Sequence, residues 1–175
     1  MAEADLIDLY YGDECRVSLT PVVPYAWQFD NEQVWMPASQ GPGLNCFGLL
    51  RRDNALHFQI STHTITAAFI VEQLDHLSLS LSRETVVILD NARVHTAEAV
   101  MACRPLWEER GLTLFFLPPY SPHLNLAETL WRKLKYEWLS PHHYLSFDNL
   151  QDATQRALAA VGSQLTIAFS NPAYG

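Results

Sequence analysis

Three acidic residues follow short apolar runs. Asp13 comes after LIDLYYG, Asp90 ends TVVILD, and Glu128 follows LTLFFL through a proline-rich turn. In α/β sheets, sites form beyond the carboxyl ends of the strands, so acids at several strand exits can converge. Three unpaired carboxylates in one small space repel each other and raise one another's pKa values. Divalent cations remove that cost, and an all-oxygen donor set without cysteine suits Mg²⁺ or Mn²⁺. Two such ions ~3.5–4 Å apart can activate a water or a 3′-hydroxyl and stabilise the leaving oxygen in phosphodiester cleavage.

Each acid also has a plain structural reading. Asp90 precedes Asn91-Ala92-Arg93 and could cap the next turn. Asp13-Glu14 could be an ordinary hairpin turn between residues 6–12 and 15–23. With Asn125 as N-cap, Glu128 falls at N3, so N-x-x-E resembles a capping box and the charge suits a helix N-terminus. If Asp13 points into the site along a strand, Glu14 points away by alternation.

Other polar residues lie near these acids. Asn91 and His95 could orient Asp90 or contact a substrate, or serve as a turn residue and a core-edge histidine. On a predicted helix over 126–139, Leu130, Trp131, Leu134 and Trp138 have the spacing of a packed face. Arg132, Lys133 and Lys135 fall largely on another side, as a solvated face or as contacts to a nucleic-acid backbone. Arg51-Arg52 at a predicted hairpin is a weaker basic candidate. Trp27 and Trp35, in a loop over 24–43, could stack on an unpaired base or bury the loop.

The elements that must position these residues run in a recognisable order. Residues 44–61 read as two strands around an Arg-Asp-Asn turn. Thr66 can cap a helix reaching about Leu79, with Ile65 and Ile70 as a hydrophobic staple. Residues 85–90 are a short apolar run suited to a central strand, and residues 112–117 read as another buried strand. Residues 92–111 are helical in composition, with Pro105 as a kink or restart and Gly111 as a stop. A last amphipathic segment spans 147–165. Strands first, then helices alternating with strands, make a mixed α/β sheet with an antiparallel edge.

With 175 residues, 49% of them hydrophobic and 17% charged, the chain suits one globular domain. No apolar run reaches the ~18 residues of a membrane span, and the acidic start MAEADL is unlike a signal peptide. Cys15, Cys46 and Cys103 have no metal-type spacing and read as reduced thiols, which points to the cytoplasm. The net charge of −8 argues against broad electrostatic capture of nucleic acid.

LDNARVH at 89–95, followed by LPPYSPHLNLAETLWRKLK at 117–135, resembles the catalytic core of mariner-type transposases, especially their bacterial insertion-sequence relatives. DLYYGDECRVSLTPVVPYAW is similar to that family's first strand, acidic pair and tryptophan-bearing loop. The likeness spans about Asp5 to Ala160. It implies an RNase H-like fold, a mixed five-stranded α/β sheet with flanking helices, shared with retroviral integrases. It implies Asp13, Asp90 and Glu128 as catalytic, metal-binding triad, with two Mg²⁺ or Mn²⁺ ions. Glu128 lies 38 positions after Asp90, slightly beyond the family's commonest spacing. Two positions depart from the pattern: Asn125-Leu126 replaces the usual Asn-Pro, and His123 replaces an acid.

By this resemblance the expected activity is metal-dependent DNA strand cleavage and strand transfer. The expected partners are transposon ends and target DNA, with a second copy or a helix-turn-helix chain and without a membrane. The chain starts almost at the first catalytic strand, so the helix-turn-helix region of such transposases is expected to be absent. Two other readings stay open: another RNase H-like nuclease, and an inactive transposase-derived module kept for binding or assembly.

Overall fold

The computed structural model describes residues 6–21, 41–119 and 121–169; the loop tryptophans Trp27 and Trp35 lie outside them. Among the described residues, five strands form one mixed sheet: β1 (Asp8–Ser18), β2 (Gly43–Leu50), β3 (Leu56–Ser61), β4 (Thr85–Leu89) and β5 (Leu112–Phe116). Their order is β3-β2-β1-β4-β5. β1, β4 and β5 are parallel, and β2 is antiparallel to both its neighbours. The helices are α1 (Ala67–Leu79), α2 (Glu98–Glu109), α3 (Ala127–Lys133) and α4 (Phe147–Ala159). This is the expected RNase H-like arrangement. No described helix is long and apolar enough to cross a membrane.

Alternation along the strands splits the core into two layers. Tyr10, Phe47, Leu49, Val87, Leu89 and Leu112 point toward α1 and α2, where Ile70, Leu74, Val100 and Trp107 meet them. Cys15, Val17, Leu44, Cys46 and Leu50 point to the other side, against Leu130, Trp131 and Leu134, with Leu150 and Leu158 of α4. Thr66 caps α1 as expected, its Oγ1 accepting from Phe69 N at 3.3 Å, with Ile65 and Ile70 in the adjoining core. Gly111, at φ +86°, ends the turn after α2.

Three expectations are corrected. Asp13-Glu14 is not a hairpin turn: β1 is one continuous strand of 11 residues. A tight hairpin needs positive φ at its centre, which neither residue has. The antiparallel partner is β2, pairing from Tyr11↔Leu50 to Ser18↔Gly43. Second, α2 starts at Glu98, not near Ala92, and continues through Pro105. The Asp90 carboxylate accepts from Ala92 N at 3.0 Å, and the carbonyl of Ala92 receives His95 N and Thr96 N, so the chain turns before it can become helical. Third, the helix over 126–139 changes pitch: α3 passes into a π-helical turn at Leu134–Trp138. Leu130, Trp131 and Leu134 are still buried, while Trp138 is only partly so.

Gly48 decides how closely α3 approaches the sheet. A Cβ there would stand 3.0 Å from the Trp131 ring and 3.4 Å from Leu130. Overfilling such a contact typically costs ~1–3 kcal/mol. Gly48→Val is therefore expected to lower the melting temperature by several degrees, about 2–4 °C per kcal/mol at this chain length. An unchanged melting temperature would show that α3 can ride further from the sheet at no cost.

Candidate active site

The parallel pairing of β1 with β4 ends at Tyr11↔Ile88. Asp13 and Asp90 each lie two residues beyond that pair, so continuing the register sets them abreast. Asp13 shares a strand face with Cys15 and Val17, the face covered by α3. Its cross-strand partner there is Gly48, which leaves room for Trp131. Glu128 stands in the first turn of α3. Asp13, Asp90 and Glu128 line one cavity of about 420 Å³, together with Asn91, Leu117, Pro118, Pro119, Ser121 and Asn125.

Two asparagines hold the cavity's walls together. Asn91 Nδ2 donates to the carbonyl of Leu117, and Leu117 N donates to Leu89 O at 2.9 Å, which fixes the start of the proline turn against the end of β4. Asn125 is nearly fully buried. Its Nδ2 donates to Gly12 O at 3.0 Å and its Oδ1 accepts from Ala127 N at 3.1 Å, so one side chain ties the start of α3 to β1 beside Asp13. This differs from the expected capping box. Glu128 N reaches the backbone carbonyl of Asn125 at 3.2 Å. Among the described residues, no hydrogen bond or ion pair engages the exposed Glu128 carboxylate.

The two aspartates have opposite environments. Burial, followed by the charges of Glu14 and Asp90, pushes the Asp13 carboxyl up to about 7. The hydrogen bond from His95 holds Asp90 below the usual carboxylate range; partial burial opposes this and the Ala92 amide adds to it. His95 is fully buried, with Nδ1 2.7 Å from Asp90 Oδ1 and Nε2 2.9 Å from Glu14 Oε2. The Glu14 contact is close enough for an ion pair but poorly aligned for a hydrogen bond. Burial disfavours charge on His95, but its two carboxylate partners outweigh this and lift the imidazole to about 9. Glu14 does point away from Asp13. The sequence contained no sign of where it goes, because His95 reaches it only in the folded sheet.

Among the described residues, no three His, Cys, Asp or Glu side chains are gathered tightly enough to hold a metal ion as they stand. The donor chemistry nevertheless fits one. Asp13 carries a strongly desolvated carboxyl with no ion pair among the described residues, and Glu128 is likewise without an ion pair across the same cavity.

The basic residues separate into groups. Arg132 and Lys135 line a second cavity of about 490 Å³ that shares Asn125 and Glu128 with the first. Lys133 turns to Glu137, Nζ to Oε2 2.6 Å. Arg51 is engaged by Asp8 at 2.8 Å and Asp53 at 2.7 Å, at the start of β1 and so at the opposite end of the sheet from Asp90. The Arg52 guanidinium lies over the Phe169 ring, 5.9 Å from its centroid. Cys15, Cys46 and Cys103 are free thiols.

A bacterial relative, the uncharacterized protein y4pE/y4sA of Sinorhizobium fredii, is 34% identical over 65 residues, which are 37% of this chain and 44% of that protein. The structure is similar to the Mos1 transposase paired-end complex with left transposon end, at TM-score 0.61 and 19% identity, covering 91% of this chain and 50% of that one. It is also similar to the HTLV-2 integrase catalytic core domain in complex with magnesium, at TM-score 0.55 and 11% identity, covering 87% and 83%. The chain thus spans about half the length of the Mos1 transposase and less than half of the Sinorhizobium protein. These likenesses establish the fold. Residues 8–151, most of the chain, match a family described as DDE superfamily endonuclease, and to that family this protein belongs.

Proposed function

We propose that this chain is the catalytic domain of a DNA transposase, cutting DNA strands hydrolytically and then joining a freed 3′-hydroxyl to target DNA. The observation that carries this reading is the convergence of Asp13, Asp90 and Glu128, from two paired strands and a helix start, on one cavity. The family match, the similarity to a Mos1 complex with a transposon end, and the similarity to an integrase core with magnesium support it.

Asp13, Asp90 and Glu128 would hold Mg²⁺ or Mn²⁺, as two ions. Bound there, the ions supply charge neutralisation and Lewis-acid activation of the attacking and leaving oxygens. Asp13 must give up its proton to serve as a ligand. Asp90 is already ionised, because His95 holds it so. Glu128 can swing without breaking a helix cap, since Asn125 serves Ala127 and Gly12 instead. Arg132 and Lys135 line the adjoining cavity, which shares Asn125 and Glu128 with the first, and would bind the DNA backbone beside the cleavage point. In a chain of net charge −8, affinity concentrated near the site and supplemented by a second copy or a helix-turn-helix partner is the consistent arrangement.

Four outcomes test this proposal. Mn²⁺-dependent nicking of generic DNA should fall at least ~100-fold in Asp90→Asn, since even indirect support of a metal ligand is worth ~10–100-fold; full residual activity would exclude Asp90 as a ligand. The Asp13 carboxyl at about 7 in the folded chain, against 3.8 ordinarily, means the unfolded chain loses its proton first as pH rises. Metal-free stability should therefore decline between about pH 4 and pH 7 and level off for this group above, and Asp13→Asn should remove that decline in thermal melts. Stability from His95, complete below pH 6.5, should be lost as pH rises to about 9. Finally, Arg132→Ala with Lys135→Ala should reduce the salt slope of DNA binding by about 1.5–2, and Lys133→Ala should change it less. Equal effects at all three positions would mean a diffuse basic face.

A further inference from the structure

We infer that Glu14 and His95 form a positioning relay for Asp90, in which Glu14 anchors the His95 ring and the ring fixes Asp90 Oδ1, leaving Oδ2 available to a ligand in the cavity. The inference rests on the metal-site reading above and extends it to two residues that do not line the cavity.

The geometry is that of a chain of contacts crossing the sheet. Asp90 Oδ1 accepts from His95 Nδ1 at 2.7 Å and from Ala92 N at 3.0 Å, so that oxygen is fully engaged. The other ring nitrogen, Nε2, sits 2.9 Å from Glu14 Oε2. An imidazole hydrogen-bonded to one carboxylate through Nδ1 and in ion-pair contact with a second through Nε2 is held at both nitrogens, so a ring flip would break both contacts. His95 is 0% exposed, and Phe47, the cross-strand partner of Glu14, lies beside it with ring centroids 6.3 Å apart. A well-packed apolar residue in that place would hold the loop as firmly, since a buried ion pair gains little stability over hydrophobic packing. A buried histidine between two carboxylates, one of them lining the cavity, has the form of the outer-shell supports that orient metal ligands.

Glu14 is the informative member. It follows Asp13 in β1 but its side chain faces the opposite layer and is not part of the cavity lining, so its removal takes no side chain from the cavity wall. If it only steadies the fold, its loss should change the melting temperature and nothing else.

The experiment is calorimetric titration of Mn²⁺ into the metal-free full chain, with a metal-free thermal melt of each variant. Wild type should bind, and Asp90→Asn should not. Glu14→Ala and His95→Phe should weaken binding ~10–100-fold while folding cooperatively. Glu14→Gln, which keeps an acceptor for Nε2, should stay within about threefold of wild type, a small part of that ~10–100-fold range. If Glu14→Ala does not fold, His95→Phe, which fills the buried site without polar atoms, decides the matter. Wild-type Mn²⁺ affinity in the folded variants would overturn the relay while leaving the metal site standing. Failure of the wild type itself to bind Mn²⁺ would overturn the site and the relay together.

Discussion

The parallel ladder between β1 and β4 is the constraint on which the rest of the site depends. It stops at Tyr11↔Ile88, and two residues later both strands present an aspartate. Backbone hydrogen bonds fix that register, and a slip of one residue would send each side chain to the other face. Everything else brings a third acid to the place the ladder defines. Gly48 lets Trp131 lie close to the sheet, Asn125 ties the helix start to Gly12, and Asn91 holds the proline turn at Leu117.

This arrangement stores electrostatic cost. Asp13, Asp90 and Glu14 lie near one another, and one buried imidazole stands against them. The fold relieves the strain unevenly. Asp90 and Glu14 share His95, while the burial and repulsion on Asp13 are only partly offset by a backbone amide and the more distant charge of His95, which places its carboxyl at about 7. Two chemically identical aspartates thus enter the cavity in different states, one readily protonated and one firmly ionised. A site built this way gains from a cation more than its net charge alone suggests, because burial is the main cause that destabilises the Asp13 carboxylate.

Much of this was legible in the sequence because local patterns report burial. The apolar run at 85–90 marked a central strand and Thr66 a helix start, and Asp90 stands at the exit of β4; the run at 112–117 is a strand but an edge one with Phe115 exposed, and Asp13 lies in the middle of β1. Local patterns failed where a distant segment competed. Asp13-Glu14 looked like a turn because two acids interrupted an apolar run, and nothing nearby showed that β2 would return to pair through them. Asn125 and Glu128 matched a capping box, but the Asn125 side chain, whose Nδ2 donates to the Gly12 carbonyl 113 positions away, presents its Oδ1 to Ala127 N and not to Glu128 N. Arg51 looked like a free cation until Asp8 folded beside it. The pitch change after Lys133 separated Lys133 from Lys135 in a way that regular helical spacing could not anticipate.

A crystal of this chain soaked in Mn²⁺ tests the central claim most directly, through anomalous scattering. The expected result is manganese density inside the cavity lined by Asp13, Asp90 and Glu128, with these three carboxylates as the residues that would hold it. A peak elsewhere, or an empty cavity with the aspartates unchanged at saturating Mn²⁺, would contradict it.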